Sequence, residues 1–88
     1  MINGNGVFNY IDRVVKVNTD GEKYLALNVL SKDNKKISFI TKDEDLINKV
    51  TNLQLTKFQD VKLFFNITRI YNKDNRYSFW SVELIGVG

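Results

Sequence analysis

Cysteine, histidine and proline are all missing from this chain, and the first two absences each remove a class of chemistry. Without cysteine there is neither a disulfide framework nor a thiolate metal site, which fits a reducing cytoplasm. Without histidine the commonest general base and the commonest metal ligand are gone. No stretch approaches the roughly 18 consecutive apolar residues of a membrane span, so no membrane association is expected. Residues 1–10 carry no charged n-region and no apolar h-region, so no signal peptide is expected. No glycine-rich phosphate loop precedes a helix, because Gly4-Asn5-Gly6 stands before a predicted strand. Nor does any nucleophile have a visible base. A non-catalytic protein without a cofactor is the expectation.

What remains is an ordinary globular composition, 43% hydrophobic and 26% charged. Eighty-eight residues suffice for one domain spanning residues 1–88 but not for two cores. The net charge is +3, and its distribution matters more than its size. Asp43, Glu44 and Asp45 are consecutive, so the rest of the chain carries about +6. That balance favours an anionic partner.

The pattern divides the chain into six elements. Residues 7–18 form a long β-branched run interrupted by Asp12-Arg13, and Asp20-Gly21 then signals a hairpin. In the returning strand, residues 24–30, Leu25, Leu27 and Val29 share one face; Tyr24, Ala26 and Asn28 share the other. A polar turn leads to a third strand, residues 36–40, with Ile37 and Phe39 pointing one way and Ser38 and Ile40 the other. Thr41 followed by Glu44 reads as a capping box. Leu46, Ile47, Val50 and Leu53 then recur at helical spacing, with Asn52 as the stop. The acidic triplet thereby has a helix-dipole explanation and is not read as a metal or catalytic site. After residues 54–60 comes a fourth strand, residues 61–70, with Val61, Leu63, Phe65 and Ile67 on one face and Lys62, Phe64, Asn66 and Thr68 on the other. A polar loop carrying Lys73 and Arg76 turns into a last strand, residues 77–85, where Trp80, Val82 and Leu84 form the core face.

The aromatic pairs Phe64-Phe65 and Phe79-Trp80 each place one ring inward and one outward, because strand side chains alternate. Outward rings beside Arg69, Lys73 and Arg76 are the combination that single-stranded nucleic acid requires: rings for the bases, cations for the backbone. A contiguous apolar surface on a small domain also marks binding. Simpler roles stand beside this reading. Tyr24 would pack on Lys36 across the strand pair, Phe64 would lie beneath the helix, and the lysines would keep strand edges unpaired.

The order β-β-β-α-β-β, mainly β with one helix between the third and fourth of five strands, is that of the OB-fold barrel. In this order, and in its aromatic and basic strands 24–30, 61–70 and 77–85, the chain resembles the small OB-fold single-stranded DNA-binding proteins of bacteriophages and conjugative elements. Abundant Asn and Lys without proline fit an AT-rich bacterial or phage genome. The resemblance implies a cytoplasmic role in DNA replication, with single-stranded DNA as partner and RNA also admitted, since only a 2′-hydroxyl contact separates the two. It places the ligand on strands two and three and on the loops joining strands 1–2 and 4–5. That nominates Tyr24, Asn28, Lys36 and Ser38 on the sheet, and Lys23, Lys73, Arg76 and Tyr77 at the loops. Phe79 and Phe64 are further rings, and Arg13 and Lys16 extend the groove. The chain ends at Gly86-Val87-Gly88 without the acidic, proline-containing tail of cellular relatives, so recruitment of partners by that route is not expected. The competing reading is a protein-interaction module: a homodimerising barrel, or a phage or mobile-element protein that binds a host protein.

Overall fold

The computed structural model describes residues 2–72 and 77–88, with side chains for residues 3–68 and 81–88. Its elements are β1 (Ile2–Val17), β2 (Lys23–Leu30), β3 (Lys36–Thr41), α1 (Glu44–Asn52), β4 (Asp60–Asn72) and β5 (Tyr77–Val87). The strands close into a barrel in the order β1-β2-β3-β5-β4, with β4 returning to β1. Every pairing is antiparallel except β3 with β5, which meet in parallel at Ile40 and Glu83. A closed five-stranded barrel with its helix between β3 and β4 is the OB-fold arrangement expected from the sequence. Among the described residues no helix is long and apolar enough to cross a membrane.

The alternating residues of β2, β3 and β4 supply the core. Leu25, Leu27, Val29, Phe39, Val61 and Leu63 are buried with Leu84 of β5, and α1 adds Leu46, Ile47 and Val50 from its apolar stripe. Each such side chain contributes about 1.5–3 kcal/mol on burial. At one side of this core Phe8, Phe39 and Phe65 form a ring cluster, with centroids 5.2 to 6.1 Å apart.

Three expectations change. First, β1 begins at Ile2, so Gly4-Asn5-Gly6 lies within the strand. The glycines make room for the ring cluster: a Cβ on Gly4 would stand 2.7 Å from Phe65 Cε2, and one on Gly6 3.2 Å from Phe8. Second, the helix is capped by Asp43, whose carboxylate accepts from the N–H groups of Asp45 and Leu46 at 2.9 and 3.3 Å. Thr41 is still paired with Leu25 in the sheet, and its Oγ1 accepts from the Asp43 N–H at 3.1 Å. A cap must immediately precede the first helical residue. Third, Leu53 follows the helix as its C-cap instead of belonging to it.

β1 serves two neighbours. Its first half pairs with β4 as far as Asn9, and from Asn9 onward it pairs with β2. The register slips between Tyr10 and Asp12. Such a bulge sharpens the bend and changes which side chains face in. Tyr10 is buried opposite Val29, yet Asp12 is exposed opposite Asn28, and Arg13 falls opposite the buried Leu27.

Candidate nucleic-acid interface

Antiparallel partners project to the same face, so the register assembles the outer face of β1, β2 and β3 row by row. Lys16 stands opposite Tyr24 at one end. Next come Val14, Ala26 and Ile40, then Asp12, Asn28 and Ser38, and finally Asn9, Leu30 and Lys36. Tyr24 and Leu30 are separated by roughly 20 Å at strand rise. The described chain leaves this face uncovered: Asp12, Val14, Lys16, Lys36 and Ser38 are exposed and the others half-buried. Beside it, between β3 and β5, runs a hollow of about 260 Å³ lined by Ile40, Thr41, Lys42, Ser81, Val82 and Glu83.

The middle row is already hydrogen-bonded within itself. Ser38 Oγ donates to Asn28 Oδ1 at 2.5 Å, and Asn28 Nδ2 donates to Asp12 Oδ1 at 2.6 Å. Both described bonds of the Asn28 amide therefore go to neighbouring side chains. The cations sit at the two ends of the face. Lys16 and Lys36 make no ion pair among the described residues, whereas Lys42 pairs with Glu22, Lys32 with Asp60 and Lys35 with Asp33.

Five nominated residues, Lys16, Tyr24, Asn28, Lys36 and Ser38, therefore share one surface. Tyr24 does not pack on Lys36, because the two stand in rows at opposite ends of the face. Lys23 is on the other side of the same strand end, where with Glu22, Lys42, Glu44 and Ile47 it lines a second hollow. Arg13 does not extend the groove. Its Nη1 donates to the Val50 carbonyl at 2.7 Å, placing a cation at the C-terminal end of α1, where the helix dipole favours it. Its guanidinium lies 6.0 Å from the Tyr10 ring.

Phe64 belongs to a different face. It stands opposite Asn5 and Gly86, on the sheet made by the first half of β1 with β4 and β5, and not beneath the helix. Lys62 Nζ lies 5.5 Å from its ring centroid, and Val7 and Ile85 are exposed nearby on the flanking strands. Tyr77 and Phe79 pair through the backbone with Asn72 and Ile70. Their side chains, and Lys73 and Arg76 entirely, lie outside the described residues.

One aromatic and basic pair was not nominated. Lys57-Phe58 occupies the connection between α1 and β4, and Phe58 is 57% exposed, with Lys57 Nζ 5.4 Å from its ring centroid. The available signal was an aromatic beside a lysine in a segment with neither helical nor strand period. Among the described residues no three carboxylates gather as a metal site. No family model matches the chain, and no curated protein matches it in sequence.

Proposed function

We propose that this protein is a non-catalytic binder of single-stranded nucleic acid that holds its ligand on the outer face of β1, β2 and β3 with little regard to base sequence. The observation that carries the reading is the composition of that uncovered face. Its ring, Tyr24, and its ion-pair-free cations, Lys16 and Lys36, stand at its ends, and an apolar row crosses between them. Cations that track the backbone and rings that stack on any base give affinity without a code. The side chains best suited to reading base edges, Asn28 and Ser38, are bonded to one another and to Asp12, which disfavours sequence readout. Single-stranded DNA in the cytoplasm, as in replication of a phage or mobile element, is the setting the resemblance supplies.

The test is fluorescence anisotropy with labelled oligo-dT of about 20 nucleotides at two salt concentrations, with duplex DNA as competitor. If four phosphates are neutralised, affinity should fall about fiftyfold between 50 and 200 mM salt. Duplex should compete poorly. Absence of binding at low salt by folded, monodisperse protein would overturn the proposal.

A second reading has its own observation. Val7, Phe64 and Ile85 expose apolar surface on the β1–β4–β5 face. Such a patch suits a second copy of the chain or a protein partner. Binding there would tolerate salt, and a light-scattering mass of twice the monomer would identify the homodimer.

A further inference from the structure

Phe58 is an exposed aromatic outside the core, and its backbone is in a conformation that phenylalanine disfavours. Its φ of 69° lies in the left-handed region, where a bulky residue is an outlier. Neighbouring groups hold it there. The Phe58 N–H donates to the Tyr10 carbonyl at 2.6 Å, its own carbonyl accepts from Asn9 Nδ2 at 3.1 Å, and the Tyr10 N–H donates to the Gln59 carbonyl at 2.9 Å. Gln59 closes the turn on Thr56 through its N–H at 2.9 Å and its Oε1 at 3.0 Å. Strain persists only where surroundings over-determine it, and it clusters at ligand clamps. Glycine would satisfy the same turn without strain. The ring belongs neither to the core nor to the Phe8–Phe39–Phe65 cluster, and more than half of the residue is exposed.

Its position is informative. Asn9, which holds the Phe58 carbonyl, is also the first member of the row Asn9, Leu30 and Lys36. The loop therefore borders the proposed ligand face at the end opposite Tyr24. Lys57 and Lys36, neither in an ion pair among the described residues, bring cations to this border, and the nearby Asp60 is engaged by Asn9 Nδ2 at 2.7 Å and Lys32 Nζ at 3.5 Å. Thr56, Lys57, Gln59 and Asp60 around the ring are all polar. A protein hot spot gathers several well-packed residues inside a desolvated patch; a solitary ring among cations suits a nucleobase and its phosphates.

We infer that Phe58 is a base-stacking platform at the far end of the single-strand path, with Lys57 and Lys36 binding the flanking phosphates. The inference rests on the single-strand reading above and carries the ligand off the sheet onto the α1–β4 loop.

The test repeats the oligo-dT titration at two salt concentrations with the native chain, Phe58→Ala, Phe58→Tyr, Lys57→Ala and Phe64→Ala, each checked by thermal unfolding and light scattering. Phe58→Ala should weaken binding about 5- to 150-fold with an unchanged salt slope. Phe58→Tyr should stay close to native, and Lys57→Ala should reduce the slope by about 0.7. Phe64→Ala should bind as the native chain does. Should Phe58→Ala fold poorly, Phe58→Gly makes the same truncation on a residue the turn accepts. Equal, tight binding by the native chain and Phe58→Ala overturns this inference and leaves the parent reading standing. No binding by the native chain overturns both. A native dimer that becomes monomeric in Phe58→Ala assigns the ring to a second copy of the chain and also overturns the inference.

Discussion

Phe58 and Phe64 present the same chemistry at the surface and are built into the barrel in opposite ways. Each has a lysine ammonium over its ring, at 5.4 and 5.5 Å from the centroid. Phe64 stands opposite Asn5 of β1 and Gly86 of β5, beside a register shift between β4 and β5, and lies across the glycines of the β5 end: a Cβ on Gly86 would be 3.5 Å from its Cδ2, and one on Gly88 3.3 Å from its Cε2. A ring laid over strand glycines fills the space they leave and steadies the pairing. That packing accounts for its being only 38% exposed. Phe58 has no such seat, and its backbone is strained. Exposure of an aromatic ring is thus a weak sign of function until the work the ring does for the fold has been subtracted. At Phe64 the glycine contacts account for the covered ring; Phe58 is the more exposed of the two, at 57%, and belongs to no packed cluster.

The largest effect expected near either ring sets the scale. Leu63 adjoins Phe64 in β4 but faces inward and is 0% exposed. Leu63→Ala should cost about 2–5 kcal/mol in chemical denaturation, well beyond any truncation of Phe64 itself. A loss below 1 kcal/mol would mean that the inward and outward faces of β4 differ less than the burial implies. The glycines then separate a ring in the core from a ring on the surface. Gly4→Ala drives a Cβ to 2.7 Å from Phe65, whose ring is wedged against Phe8 and Phe39, and should cost about 1–3 kcal/mol. Gly86→Ala meets Phe64 at ordinary contact distance, and that ring is free to shift outward. It should be neutral or stabilise by up to about 1 kcal/mol. Equal costs at the two positions would show that the Phe64 ring is held as firmly as a core ring.

The part of this architecture legible in the sequence is the part governed by period two. Leu25, Leu27 and Val29 read inward, Tyr24, Asn28 and Ser38 read outward, and the register agrees. Arg13 leaves the outer face because the bulge between Tyr10 and Asp12 turns the strand over, a shift the sequence marks only by the Asp12-Arg13 interruption of the apolar run. The early start of β1 was hidden for a similar reason. Gly4 looks like a loop residue until the Phe65 ring of β4, distant in sequence, is brought against that strand. Phe58 was illegible for the strongest reason: its conformation is imposed by Asn9 and Tyr10, 49 residues away for the Asn9 bond.

The smallest effect is the sharpest, because its sign reverses between the two rings. A left-handed conformation costs an L-residue about 1–2 kcal/mol, and alanine at position 58 would bear that cost as phenylalanine does. Glycine would not, though its freedom in the unfolded chain returns about 0.4–1 kcal/mol of the gain. Phe58→Gly should therefore be more stable than Phe58→Ala by about 0.5–1 kcal/mol. At position 64 the backbone is an ordinary strand, where glycine is worse than alanine by about 0.5–1 kcal/mol. Phe64→Gly should be the less stable of that pair. Thermal unfolding of the four variants reads both differences in one experiment, with shifts of about 2–8 °C. Alanine above glycine at both positions would mean that the loop relaxes once the ring is removed, and that the strain belongs to the ring and not to the turn.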